Sequence, residues 1–202
     1  MKTPLIVTLT LLLTACASSE YQSEAKTERK TEAASPQQIE ASRAVVKTLA
    51  TQLGGKLKES MSTNGPAQSI GVCKEIAPQI ANELSRQTGW QVGRVGTRAR
   101  NAQTGVPNAW QTEALASFAA RMKNGEKADT MEFAQVVTDS TGKHLHYAKA
   151  IAIQPMCLTC HGPVDSIPEG VKASLRADYP LDQATGYRDG ELRGAVVITR
   201  PL

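Results

Sequence analysis

The sequence predicts an α+β domain, and two observations carry that reading. Helical periodicity dominates the first half, whereas two alternating runs, Phe133–Thr138 and Lys143–Ile153, come later and meet at Asp139-Ser140-Thr141-Gly142, a hairpin turn. Helices early and an antiparallel sheet late are the order of an α+β architecture; a parallel α/β sheet needs strands and helices in alternation.

Ser35-Pro36-Gln37-Gln38 starts the first helix, with Ser35 as N-cap, Pro36 in the first turn and Gln38 placed to close a capping box. Val46, Leu49, Leu53 and Leu57 recur at helical spacing, Gly54-Gly55 weakens the middle, and Asn64-Gly65 closes the segment. A second helix is predicted from Pro66 to Gly89, with Ile70, Cys73, Ala77, Ile80 and Leu84 on its apolar stripe, so that Cys73 faces inward. Pro78 inside that helix removes a hydrogen bond and clashes with the carbonyl of Lys74, which predicts a kink beside Cys73. Trp90–Asn101 reads as a strand with Val92, Arg94, Gly96, Arg98 and Arg100 on one side. Asn108–Lys123 reads as a helix, Ile167–Leu175 as a short helix, Tyr179–Gly190 as a loop and Leu192–Thr199 as the last strand.

The N-terminus points to export. Lys2, the apolar run Leu5–Leu13 and small residues before Cys16 form a signal too short to span a bilayer, which takes roughly 20 apolar residues. Leu13-Thr14-Ala15-Cys16 resembles the lipobox of bacterial lipoproteins, which implies an acylated Cys16 as the first mature residue; Ala17 rather than Asp after it implies sorting to the outer membrane. An ordinary cleaved signal with a coincidental cysteine is the alternative. Ala17–Ser35 has too little apolar surface to offset its chain entropy and reads as a flexible tether. The expected organisation is therefore a signal peptide at 1–15, lipidated Cys16 and tether at 16–35, and one domain at 36–202, periplasmic and held to a membrane by lipid.

Without Lys2 the chain carries 22 basic and 19 acidic residues, too small an excess to argue for nucleic acid as a partner. Two Phe, two Trp and four Tyr supply little aromatic core, since each would bury about 150–250 Å². A large apolar cofactor could make up the difference.

Gln154–Pro163 holds Cys157-Leu158-Thr159-Cys160-His161, and Cys-x-x-Cys-His is the attachment pattern of c-type haem. The spacing lets each thiol reach one porphyrin vinyl group, and the adjacent histidine then lies over the iron as an axial imidazole. Export agrees with this, because bacteria attach haem covalently outside the cytoplasm. Two other readings compete: a zinc site from Cys73, Cys157, Cys160 and His161, or a redox dithiol or disulfide of Cys157 and Cys160. Neither explains the adjacent histidine.

The chain from Pro36 to Leu202 resembles a family of exported c-type haem domains with a PAS-like fold, long catalogued as a domain of unknown function. Ser69-Ile70-Gly71-Val72-Cys73 with Ala77-Pro78, the segment Arg98–Trp110, Ala150–Gly162, and Tyr179-Pro180 through Ala184-Thr185-Gly186-Tyr187 to Arg193-Gly194-Ala195 carry the resemblance. It implies an antiparallel PAS-like sheet with N-terminal helices and haem packed in the domain. It further implies an iron held between the histidine of the haem pattern, His161, and a thiolate from an earlier helix, Cys73; a small buried core residue is the alternative for Cys73. In the second segment the family reads Arg-Asn-Pro-x-Asn-x-Pro-Asp-x-Trp-Glu, whereas this chain has Arg100-Asn101-Ala102-Gln103-Thr104-Gly105-Val106-Pro107-Asn108-Ala109-Trp110-Gln111, without the first proline and the two acids and with one extra position. Interactions made by those acids in relatives are not carried over.

Other ligand candidates follow from residue type. His144 and His146 share a strand face and are candidate distal ligands, Met61, Met122, Met131 and Met156 candidate sixth ligands, and Arg94, Arg98 and Arg100 candidate partners of haem propionates. For each, an exposed or packed structural role is the competing reading. The expected function is redox or small-ligand sensing through a displaceable Cys73, with a diatomic molecule as possible ligand and a separate signalling or redox protein as partner; simple electron transfer is the alternative. No side-chain constellation points to catalysis, and the chain is expected not to be an enzyme.

Overall fold

The computed structural model describes residues 29–202. The export signal, Cys16 and the first part of the expected tether lie outside them. The fold is α+β, a PAS-like antiparallel sheet with helices on both faces.

α1 spans Pro36–Thr63. Its start is the expected capping box: the Ser35 hydroxyl accepts from the Gln38 amide at 3.2 Å, and the Gln38 side-chain oxygen accepts from the Ser35 amide at 2.7 Å. The expected second helix is broken into three pieces. α2 is a single turn, Gly65–Gln68; a π-helical turn covers Val72–Ile76; α3 runs Ala77–Thr88 and ends at Gly89 with φ 71°. Pro78 accounts for the π-helical turn, since it has no amide to donate and crowds the carbonyl four residues back. The wide turn accommodates it, with the Ala77 amide donating to Val72 O five residues earlier.

Five antiparallel strands lie in the order β1-β3-β4-β5-β2: β1 is Lys30–Ala33, β2 Gln91–Gly96, β3 Glu132–Asp139, β4 Gly142–Ala152 and β5 Leu192–Pro201. The β3–β4 hairpin turns where expected, with Asp139 opposite Gly142. β1 corrects the tether reading: Lys30–Ala33 pair with Gln135–Thr138 and extend the sheet by backbone hydrogen bonds, which need no apolar side chains.

α4, Ala109–Lys123, packs on one face of the sheet, its Trp110, Ala114 and Phe118 against Ala148, Ala150 and Val197. α1 and α3 cover the other face, with Leu49 and Leu84 against Leu145, Tyr147 and Ile198. The alternation of β4 thus puts Leu145 and Tyr147 under α1 and α3, and His144 and His146 on the α4 side.

Two further boundaries differ from expectation. The predicted strand from Trp90 to Asn101 stops at Gly96, whose amide donates to Gly105 O at 2.9 Å as the chain turns away. α6 runs Glu169–Asp178 rather than Ile167–Leu175, because the residue before a proline is driven out of helical conformation: Ile167 precedes Pro168 and is extended at φ −80°, ψ 127°, and Tyr179 precedes Pro180.

Candidate functional site

One cavity of about 520 Å³ lies between α1, α3, the edge strand β2 and the segment leading out of β4. From α1 it receives Gly54, Leu57, Lys58 and Met61, spaced as one helical stripe. From α3 come Ala77, Pro78 and Ala81. Small residues make its walls, and a Cβ built on Gly54 would meet nothing within 4 Å. Glycine inside a helix costs roughly 1 kcal/mol; here it leaves open space where a side chain would intrude.

Cys73, Cys157, Cys160 and His161 all line this cavity. Cys73 reaches it from the π-helical turn, which is tied to α6 by Lys74 and Asp178 at 2.5 Å. After β4, Pro155–Cys157 form a 3₁₀ turn and α5, Leu158–His161, a single helical turn, so the pattern Cys157 to His161 is wound into consecutive turns. Cys160 packs on Ile70, Ile167 and Val171, so one apolar cluster holds both cysteine-bearing segments.

The His161 ring is fixed. Its Nδ1 lies 2.6 Å from the carbonyl oxygen of Ala184, and since a carbonyl only accepts, Nδ1 carries the proton and the Nε2 lone pair is free. Burial, helped by the cations Arg100 and Arg193, pushes the His161 pKa down to about 3, so the imidazole is neutral. The loop Tyr179–Gly190 is not loose: Gly186 and Tyr187 donate their amides to Gly162 O at 2.7 Å and His161 O at 2.9 Å.

Cys73, Cys157 and Cys160 are unbridged. Burial raises the Cys160 pKa, Arg100 opposes it and the nearby Cys73 and Cys157 add to it. No three His, Cys, Asp or Glu side chains gather as a metal site among the described residues, which removes the support for a Cys3His zinc centre.

Three guanidinium groups reach the cavity: Arg94, Arg100 and Arg193. Burial lowers the Arg94 pKa, with Cys73 and Tyr179 opposing it, and burial likewise lowers that of Arg193. Arg100 is 6% exposed; its Nε donates to Asp182 at 3.1 Å and its Nη2 to Cys160 O at 2.5 Å, while its buried Nη1 has no partner in the protein. A buried unpaired donor costs free energy, and the residue that carries it lines the cavity. An apolar cavity with open glycine space, a free imidazole nitrogen, three thiols and an unanswered cationic donor fits a porphyrin carrying carboxylates.

The sequence profile of the Tll0287-like family matches residues 19–201. The chain belongs to the Tll0287-like family. The crystal structure of the cyanobacterial heme-protein Tll0287 is similar, with 29% identity, a TM-score of 0.62, and coverage of 83% of this chain and 97% of its own. No curated protein matches the chain.

Within this Tll0287-like domain the other candidates separate. Met61 and Met156 line the cavity, whereas Met131 is buried in the α4 core and Met122 packs against it. His144 and His146 are on the α4 side of the sheet, His146 stacked on Trp110 at 4.4 Å, and are not distal ligands. Neither Arg98 nor Arg100 is on the strand of Arg94, which ends at Gly96; Arg98 lies over the Tyr187 ring at 3.6 Å and faces Glu191 at 3.8 Å. Arg193, Tyr179 and Lys58 were missed as lining residues. Arg193 carried a signal in Gly194: at φ 156° a Cβ there would sit 2.0 Å from Val95 O, so the backbones of β5 and β2 meet closely beside it. Asn108 and Gln111 cap α4 by a reciprocal box.

Proposed function

We propose that this protein is an exported c-type haem protein in which Cys157 and Cys160 hold the porphyrin by thioether bonds, His161 and Cys73 are the axial ligands, and displacement of Cys73 makes it a redox or small-ligand sensor. One observation carries the reading: all four side chains reach a single cavity, with the His161 Nε2 lone pair left free by the bond to Ala184 O. The description of the similar Tll0287 structure as a heme-protein supports it.

Each thiol adds across one vinyl group, sulfur to one carbon and hydrogen to the other. When bound, haem supplies a one-electron couple and a site for a diatomic ligand. Arg94, Arg100 and Arg193, which line the cavity, would meet the propionates. Acylated Cys16 would anchor the domain by lipid to the outer membrane, on its periplasmic side, and a separate protein would receive the signal or the electron.

Met61 and Met156 support a second reading, an electron-transfer cytochrome with a methionine ligand, because both reach the same cavity. Optical spectra of the exported protein, oxidised and reduced, with and without carbon monoxide, separate the two. A sensor loses one axial ligand on reduction and binds carbon monoxide; an electron carrier keeps both ligands and excludes it. Colourless protein, or haem extracted by acid acetone, rejects both.

A further inference from the structure

We propose that Arg100 is a positioning residue for His161, setting the orientation and donor strength of that imidazole through the carbonyl of Ala184. The inference rests on His161 being an iron ligand, as proposed above.

Ala184 O accepts two donors. His161 Nδ1–H reaches it at 2.6 Å and Arg100 Nη2–H at 3.1 Å, which uses both lone pairs of the oxygen. The same Nη2 also donates to Cys160 O at 2.5 Å, so one guanidinium holds the peptide next to the imidazole and the carbonyl that orients it. Asp182 completes the clamp: its Oδ2 accepts from Arg100 Nε at 3.1 Å, and its Oδ1 accepts from the Ala184 amide at 2.7 Å. The pair is buried, with side chains 6% and 10% exposed, so these bonds are not exchanged freely for water.

The electronic consequence has a definite sign. An acceptor that pulls harder on Nδ1–H makes the ring more imidazolate-like and a stronger donor to the metal. Arg100 shares that acceptor, so it weakens the pull on Nδ1–H and keeps His161 a weaker donor. Its positive charge acts in the same direction, because a nearby cation disfavours the more positive oxidised state. Removing Arg100 should therefore favour the oxidised state on both counts. The two routes differ in one respect: a lysine keeps the charge but lacks the planar fork that reaches Asp182, Cys160 O and Ala184 O together.

The test uses the full exported holoprotein, with Arg100→Gln and Arg100→Lys compared with wild type. Covalent haem is read first, by haem stain on a denaturing gel, then midpoint potential and the ferric electron paramagnetic resonance g-values, which follow the axial ring. For Arg100→Gln we expect retained covalent haem, shifted g-values and an oxidised-to-reduced ratio at fixed potential raised about tenfold, ~59 mV downward for one electron. Arg100→Lys should shift the g-values as well, since the fork is lost. Retained haem with wild-type potential and g-values in both variants overturns the inference. A lysine variant indistinguishable from wild type beside an altered glutamine variant also overturns it, leaving only a charge effect. Wild-type protein without covalent haem removes the haem reading itself, and the inference with it.

Discussion

Pro78 stands five residues after Cys73, and the π-helical turn between them is what delivers that thiol to the cavity. An α-helical continuation would hold each residue's side chain about 100° around the axis from the next, so adding or removing one residue from a turn re-aims everything before it. The extra residue accommodated ahead of Pro78 thus decides where Cys73 points.

Pro78→Ala restores an amide and removes the clash, so the turn can tighten to α-helix. Covalent attachment through Cys157 and Cys160 should survive, because those residues lie on a separate segment. The ferric optical spectrum should change, reporting an altered sixth ligand. An unchanged ferric spectrum in a protein whose π turn has been shown to tighten would separate the proline from ligation.

The attachment prediction is simpler. Cys157→Ser and Cys160→Ser should each abolish one thioether, and the double variant should give a polypeptide that does not stain for haem on a denaturing gel. Persistent covalent haem in the double variant would send the attachment site elsewhere in the chain.

Cys16→Ser should escape lipoprotein processing and leave the protein out of the membrane fraction. One acyl chain binds a membrane only marginally, so durable anchoring implies a multiply acylated cysteine. Intact mass showing an unmodified mature terminus would reject the lipobox reading.

The fold can be tested away from the cavity. Tyr147, fully buried in β4, donates its hydroxyl to Glu132 at 2.8 Å, and the Arg43 guanidinium bonds the same carboxylate. Arg43 holds the Glu132 pKa below its ordinary value of 4.5, with burial opposing and Tyr147 helping. Tyr147→Phe should cost about 1.5 kcal/mol near neutral pH, a hydrogen bond to a charged acceptor. Because the folded carboxylate's pKa is depressed, its stabilisation is fully present above the unfolded value and is lost as pH falls through the folded one. The penalty of Tyr147→Phe, read from denaturant midpoints, should shrink on acidification; a penalty constant with pH would mean that the ionised carboxylate is not its source.

Local signals in the sequence located what is local in the structure. The Ser35–Gln38 box, the Gly89 stop and the Asp139–Gly142 hairpin depend on contacts within a few residues, and each formed as its residues demand. The pattern Cys157–His161 is local too, wound into consecutive turns. What was not legible depends on distant partners. Lys30–Ala33 became a strand only because the edge of β3 was open to pairing. Arg100 read as a strand residue, a candidate propionate partner or else solvated; it is off the strand and buried, because Asp182, Cys160 O and Ala184 O converge on it from far along the chain. The histidines of β4 had the right type but the wrong side of the sheet, which alternation alone cannot choose until a helix covers one face.

Cys73→Ala is the variant on which the sensing proposal stands. As a ligand, a Cys73 thiolate would neutralise the single positive charge of a ferric porphyrin centre; after one-electron reduction the same sulfur would leave net negative charge, apart from the propionates, in a cavity whose walls include many apolar residues. Unpaired buried charge is unfavourable, so protonation and departure of the sulfur become easier on reduction. The structure adds a counterweight, since Arg94 lies close enough for Cys73 to influence its charge. Arg94→Gln should therefore make departure easier still, and Cys73→Ala should abolish the exchange altogether. With the thiolate gone, covalent haem should remain, the ferric spectrum should change, the potential should rise, and the iron should accept added ligands in both oxidation states. Proton uptake should accompany electron uptake in the wild type and not in the alanine variant, measured as the pH dependence of the midpoint potential. Should Cys73→Ala keep the wild-type ferric spectrum and potential, Cys73 is a core residue, and Met61 or Met156 becomes the ligand to substitute next.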